Sequence, residues 1–352
     1  MGSIPFLGSI SGSRAATILR LNGFQTLFSL WQIMMEEIYP GFNASKGYIM
    51  PPQVDNPAVR WGSAFESAII KLAEKKADDK IIDREGLFQK FMSSDDDIKM
   101  RYSCHIDGRY KKNKFILHEG KTTSLYNFYD WGKPGTDRVT DYIACQVQHQ
   151  LMVTGLEQCI VSVLVFPKRP DEWEKEGWVP RYYNIGFFLL EKIIDDKIID
   201  STTPLDWATI NAQQDFFHQY PIRANPEAHK LMIEKYTEFW RKHIIEKIEP
   251  QPESYDDIKR CFPQPVGTVI ADENIEMLAD EYSSIGKEIG DGGNLAKRQA
   301  DIKTTILNYV RKMEPVIDND SMEKLIIRNS KGEKIGSFGK NKNGTLIYRG
   351  KD

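Results

Sequence analysis

The chain has 352 residues, 41% hydrophobic and 28% charged, with a formal net charge of −3. This composition excludes a disordered chain, and the length suffices for one large core or a core with a smaller unit appended. The near balance of charge excludes a broadly basic surface that would coat a polyanion, but not a local basic channel.

Apolar spacing predicts helix from Ser13 to Met35, broken at Asn22-Gly23, and again from Val59 to Lys76, with a polar Gly- and Pro-bearing loop between. The period then changes. Lys99 to Tyr110 and Lys114 to Thr122 read as two strands of a hairpin about Lys111-Lys112-Asn113. Val139 to Val153 reads as a helix stopping at Thr154-Gly155, and Gln158 to Phe166 and Arg181 to Leu190 read as buried strands. Helices are expected over Leu205 to His218, Pro226 to Ile248, Ile275 to Ile289 and Leu295 to Met313. Three short extended pieces follow, at Lys324 to Arg328, Lys334 to Phe338 and Thr345 to Arg349. The proline-punctuated stretch from Glu249 to Thr268 reads as loop and marks a boundary between 1–248 and 249–352. The fold class expected is α/β, a sheet layered with helices, followed by a C-terminal helix pair and small β extension.

No stretch approaches the roughly 20 apolar residues that cross a bilayer, and no charged leader precedes a cleavable apolar run. A cytoplasmic protein with no membrane partner is expected. The four cysteines, Cys104, Cys145, Cys159 and Cys261, form no C-x-x-C pair, so they read as ordinary thiols and not as zinc or iron–sulfur ligands.

The chemistry concentrates in Cys104-His105-Ile106-Asp107, a short hairpin, and His118-Glu119-Gly120-Lys121-Thr122. Alternation along a strand puts Glu119 and Lys121 on one face, and an antiparallel partner brings Asp107 to it. Two carboxylates this close repel unless a hard divalent cation lies between them. Mg2+ suits such oxygens, with Mn2+ as a substitute. A neighbouring lysine can then orient or deprotonate a water for attack on phosphorus. Taken alone, such a D…E-x-K spacing is also met by chance among hairpin surface charges. The apolar run Phe115-Ile116-Leu117 into Glu119 and three further features weigh against chance.

Glu66 sits at the edge of an apolar helical stripe, where a solvating glutamate is less expected. Gln146-Val147-Gln148-His149-Gln150 places amides mid-helix, although Gln148 and Gln150 taken separately read as an exposed polar face. Ser11-Gly12-Ser13 precedes a helix whose free N–H groups can receive a phosphate, with Ser13 as a plain N-cap the simpler alternative. The basic run Arg109 to Lys114 is equally a phosphate grip or a solvated turn.

With these residues in view, the chain resembles the YqaJ-like viral recombinases, the phage lambda exonuclease group of the PD-(D/E)-x-K nuclease superfamily. The likeness runs in order through S-G-S-R-A-A-T-I-L (Ser11 to Leu19), W-G-S-A-F-E (Trp61 to Glu66), I-D-G (Ile106 to Gly108), E-G-K-T-T-S (Glu119 to Ser124) and Q-V-Q-H-Q-L-M-V-T-G (Gln146 to Gly155). It covers roughly the first 200 residues. The resemblance implies a restriction-endonuclease-like core with a central mixed sheet flanked by helices. It also implies a 5′-to-3′ exonuclease on linear double-stranded DNA, in phage-type recombination by single-strand annealing inside a phage-infected or prophage-bearing bacterium. Asp107, Glu119 and the Gly120 carbonyl would ligate Mg2+, and Glu66 would take a second metal position. Lys121 would serve the attacking water, Gln146 would hold the geometry, and Ser11, Ser13, Arg14 and Gln148 would touch DNA. Expected partners are a single-strand annealing protein and further copies of the chain, as a trimer.

The chain departs from the family pattern at Ile106, where proline is usual, at His105, where a serine lies near the 5′-phosphate, and at Phe6, where an arginine is expected. The competing readings are an endonuclease on the same core and a catalytically silent DNA-binding subunit.

Overall fold

The structure, a computed structural model, describes residues 8–52, 55–92, 95, 98, 100–183, 187–213, 215–288, 294–317 and 321–350. Phe6, Lys99 and Ile289, named in the sequence reading, lie outside them. Two compact units are present: Met1–Leu21 with Gln53–Trp240, and Asn22–Pro52 with Arg241–Asp352. The expected boundary at 248/249 lies near the crossing at Trp240, and Asn22–Pro52 groups with the C-terminal stretch.

In chain order the elements open with β1 (Ser9–Ile10), α1 (Gly12–Ile18), α2 (Leu27–Ile38), α3 (Phe42–Ser45) and α4 (Pro57–Ala77). There follow β2 (Ile81–Ile82), β3 (Gly86–Phe91), β4 (Arg101–Ile106), β5 (Gly108–Tyr110), β6 (Ile116–Ser124), α5 (Leu125–Phe128), α6 (Asp141–Thr154) and β7 (Gln158–Phe166). The first unit ends with α7 (Pro170–Lys175), β8 (Trp178–Tyr183), β9 (Phe187–Ile194), β10 (Lys197–Thr202), α8 (Pro204–Gln213), β11 (Phe217–Arg223) and α9 (Pro226–Phe239).

The central sheet of the first unit has the order β11-β7-β6-β5-β2. It is mixed: β6 and β7 run parallel, while β11 and β5 lie antiparallel to them. Strand β7 is buried over nearly its whole length, as its β-branched run requires of a strand covered on both faces. Two long helices flank this sheet. Helix α4 starts where the Asn56 side chain accepts the Val59 N–H with Pro57 in the first turn, and α6 stops at Gly155 in the left-handed conformation. Trp61 and Phe65 of α4 enter an aromatic cluster with Phe166, Trp173 and Trp207, in which Trp61 stacks on Trp173 at 4.7 Å. The expected α/β core, a mixed sheet flanked by helices, is therefore present.

The hairpin expected over 99–122 is divided. Strand β4 joins β1 and β3 in a separate sheet, and only β5 pairs with β6. The redirection falls at Gly108, whose φ of 149° and close approach to β2 admit no side chain: a Cβ there would lie 2.3 Å from Ile81 Cγ2. Asp107 thus occupies the junction between two sheets. Other elements also differ from the sequence reading. The single strand expected at Arg181 to Leu190 is the hairpin pair β8 and β9, joined with β10 in a third sheet, and its turn lies outside the described residues. The helix expected to reach His218 stops at Gln213, and β11 follows it.

In the second unit, α10 (Tyr255–Cys261) lies within the stretch read as loop, started by a reciprocal cap between Ser254 and Asp257. Strand β12 (Gly267–Ile270), helices α11 (Glu273–Glu288) and α12 (Asn294–Val310), and strands β13 (Lys324–Arg328), β14 (Lys334–Lys340) and β15 (Leu346–Arg349) complete it. The sheet β12-β13-β14-β15 and the two helices share a core that includes Ile275, Ile306, Leu325 and Phe338, so the expected C-terminal helical and small β extension is present. No described helix is long and apolar enough to cross a membrane.

Candidate active site

Strand β6 carries the centre. Glu119 is 2% exposed, opposite Val161 of β7, and Lys121 is opposite Val163. The two side chains share a face, and the Lys121 ammonium lies 2.6 Å from Glu119 Oε1. Between them, Gly120 faces helix α4. A Cβ on it would meet Ile69 Cγ2 at 3.2 Å and Asp107 Oδ2 at 3.4 Å, so the middle residue of E-G-K has almost no room for a side chain. The Gly120 N–H donates to Asp107 Oδ2 at 2.7 Å, which ties the sheet junction to the strand carrying Glu119 and Lys121.

Helix α6 grips the other carboxylate. Gln146 Nε2 donates to Glu119 Oε1 at 2.8 Å and Gln150 Nε2 to Glu119 Oε2 at 2.7 Å. One turn apart, the two amides project from the same helix face. Gln150 is only 3% exposed, which corrects its reading as part of an exposed polar face. The i,i+4 spacing of Gln146 and Gln150 is the sequence signal that could have found it. Gln148, two residues off that face, faces elsewhere: it donates to the Arg223 carbonyl at the end of β11 and accepts from the Asn225 N–H at the start of α9. It is brought to the connection between those elements and not to Glu119.

The charges of the cluster are strongly interdependent. The Asp107 carboxyl is pushed up to about 8, first by burial and then by the nearby Glu119, with Glu66 adding to the rise. Half-buried Glu66 on α4 is itself raised, by burial and then by Glu85 and Glu119. Burial works against the charge on Lys121, but Glu119 and Asp107 more than offset it, and the ammonium holds its proton above the ordinary range. Burial and the neighbouring carboxylates thus both work against ionisation of Asp107 and Glu66.

Such a cluster fits a divalent cation. An ionised carboxylate offers about four acceptor positions. Three donors occupy Glu119 and one occupies Asp107, so both keep room for a metal. Among the described residues no three His, Cys, Asp or Glu side chains group as a metal cage. The groups that could hold such an ion are Asp107, Glu119 and backbone oxygen, a donor set of the kind Mg2+ accepts.

The other candidates lie around this centre. Ser11 is the N-cap of α1, so Ser13 falls inside the first turn, and their hydroxyls lie 3.2 Å apart. A Cβ on Gly12 would be 3.1 Å from Gln146 Cγ, which sets this turn against the helix that holds Glu119. Arg14 donates to the Ser9 carbonyl at 2.9 Å. Within the basic run, Arg109 pairs with Asp83, and Lys112 with Asp78 at 3.1 Å, so those two cations already have acidic partners. Histidines 118 and 149 are buried, 118 against Tyr110 and 149 bonded to the Ser103 carbonyl, whereas His105 is exposed. All four cysteines are free thiols, Cys104, Cys145 and Cys159 buried and Cys261 partly so.

Residues 7–157 match the YqaJ-like viral recombinase domain. This stretch carries Glu66, Asp107, Glu119, Lys121 and Gln146, and the match agrees with the resemblance that the order of motifs suggests. No curated protein matches the sequence. Among solved structures, an alkaline exonuclease (LHK-Exo) from Laribacter hongkongensis is similar at 14% identity and a TM-score of 0.41, over 68% of this chain and 90% of that one. The same protein in complex with dAMP gives 12% identity and a TM-score of 0.42 over the same shares. A phage-related exonuclease from Haemophilus somnus 129PT gives 13% and 0.40, over 68% of this chain and 96% of that one.

Proposed function

We propose that the chain is a magnesium-dependent exonuclease that digests linear double-stranded DNA from 5′ to 3′ in phage-type recombination. The observation that carries this reading is the pair of partly buried Asp107 and buried Glu119, joined through Gly120 and faced by Lys121, within a YqaJ-like domain. Asp107, Glu119 and the Gly120 carbonyl would hold the cation, with Glu66 at a second position. When bound, the cation supplies charge stabilisation for the phosphoryl oxygens. Gln146 orients the Glu119 carboxylate. Lys121, carrying its proton, orients the attacking water and offsets negative charge as it develops at phosphorus. Ser11, Ser13 and Arg14, beside α6, are the proposed DNA contacts, and Gln148 would act there through the connection it holds. A single-strand annealing protein and association of copies into a trimer belong to the same proposal, as does a cytoplasmic site of action.

Digestion of linear duplex against a covalently closed circle of the same sequence, with Mg2+ and with a chelator, tests the activity. Loss of the linear form alone, only with Mg2+, is expected, and labelled ends then give the direction. Cutting of the circle would replace the reading with an endonuclease. Inertness toward both would favour the silent subunit.

A further inference from the structure

Gln150 makes a contact that Gln146 does not. Its side-chain amide carries two N–H groups, and Nε2 lies 2.7 Å from Glu119 Oε2 and 3.3 Å from the carbonyl of His105. His105 is the penultimate residue of β4 and stands two positions before Asp107. One buried amide therefore spans the two segments that present the carboxylates: β6, which carries Glu119, and the end of β4, which leads into Asp107. Gln146 touches only the first. A second link, Gly120 N–H to Asp107 Oδ2, closes the same frame from the other side.

Building on the nuclease reading above, we propose that Gln150 is a positioning residue that fixes the separation of Asp107 and Glu119 and so makes the centre select a small divalent cation over a larger one. Mg2+ takes its oxygens at about 2.0–2.1 Å and tolerates little variation, whereas Ca2+ accepts about 2.3–2.6 Å in a loose shell. A frame closed at both ends holds the shorter spacing. With the Gln150 link removed, Glu119 loses its side-chain tie to the end of β4, the Gly120 contact and the β5–β6 pairing remain, and the gap between the carboxylates relaxes. Groups that orient a ligand in this manner typically change metal affinity by about 10–100-fold.

Calorimetric titration of the full chain with Mg2+ alone and with Ca2+ alone tests the proposal without depending on turnover. Gln150→Met keeps the side chain's length and removes both donors. It is expected to bind Mg2+ at least about tenfold more weakly and Ca2+ with a smaller loss, so that the preference for Mg2+ narrows. In cleavage assays the Mg2+ concentration for half-activation should rise in step. His149→Leu is the comparison: His149 also ties α6 to β4, through the Ser103 carbonyl at 3.0 Å, but does not touch Glu119. All titrations are made below the unfolding midpoints of the variants. An unchanged Mg2+-to-Ca2+ ratio in Gln150→Met, or an equal narrowing in His149→Leu, would overturn the positioning role and leave the nuclease reading intact. A wild-type chain that binds neither cation would overturn both.

Discussion

Replacing Lys121 by Met removes the ammonium that faces Glu119 while keeping the apolar length of the side chain. Glu119 is 2% exposed, and Lys121 is its ion-pair partner at 2.6 Å. Breaking a buried pair from one side costs about 3–5 kcal/mol, because the remaining charge is left in a poor solvent. Gln146 and Gln150 still donate to Glu119, which argues for the lower end, about 3 kcal/mol. For a unit of about 200 residues that is a fall in Tm of about 6–12 °C in the presence of chelator. A divalent cation substitutes for the lost charge, so Mg2+ should raise the Tm of Lys121→Met more than that of the wild type. Activity should not return with stability, since the proposed water-orienting group is gone: turnover at saturating Mg2+ is expected to drop by about 10²–10⁴. Thermal unfolding with and without Mg2+, beside cleavage of linear duplex, reads both effects. A variant that unfolds like wild type in chelator, or that cuts at an undiminished rate, would refute the placement of Lys121 at this centre.

The raised Asp107 carboxyl sets a second expectation. The native state keeps near pH 8 a proton that the unfolded chain releases near pH 3.8, so in the absence of metal this group lowers stability as pH rises through that window. The buried His118 and His149, both depressed to about 4 by burial, act in the opposite sense and destabilise as pH falls below about 6.5. Asp107→Asn removes the first effect and leaves the second. In chelator the variant should gain on wild type as pH rises from about 4 to 8, by at most about 1.4 kcal/mol per pH unit. Denaturant midpoints at pH 4.5 and 8 measure this, and parallel profiles would show that Asp107 does not bear the strain. Gly120→Ala tests the packing: its methyl must displace Ile69 of α4 or Asp107, costing about 1–3 kcal/mol of stability. The substitution should also weaken Mg2+ binding, and a variant with wild-type Tm and metal affinity would mean that α4 yields freely there.

Much of the core was legible because its elements carry strong periodic signals. Helix α4 shows an apolar stripe with a proline in its first turn, α6 ends at a glycine, and β7 is an apolar run rich in valine and isoleucine. The pieces that escaped lack such signals. Strand β11 contains His218, Gln219 and Pro221, which break alternation, and it survives as a strand because it lies at the edge of the sheet, where a missing N–H leaves no neighbour unpaired. Strand β10 is exposed along nearly its whole length, so it has no apolar face for a pattern to reveal. Helix α10 was hidden by the prolines around it, although its Ser254 and Asp257 cap was present in the sequence.

Within the candidate site, the order of residues on β6 followed from strand geometry alone, and Asp107 was placed beside Glu119 for a reason only partly right. The expectation was a continuous hairpin. Instead the strand divides at Asp107, and Gly108, which the sequence shows only as the residue after the aspartate, produces the division through its backbone conformation. The consequence is functional as well as architectural. A carboxylate within a regular hairpin would move with its strand, whereas one at a junction is held by two sheets at once, and contacts beyond the strand ladder help set its separation from Glu119. Gly120 N–H supplies one of those contacts and Gln150, through His105, the other. A side-chain amide suits that second point because its two N–H groups can serve a carboxylate and a carbonyl together without adding a charge, and nothing in a polar helical run distinguishes such a glutamine from a solvated one until the strand division is seen.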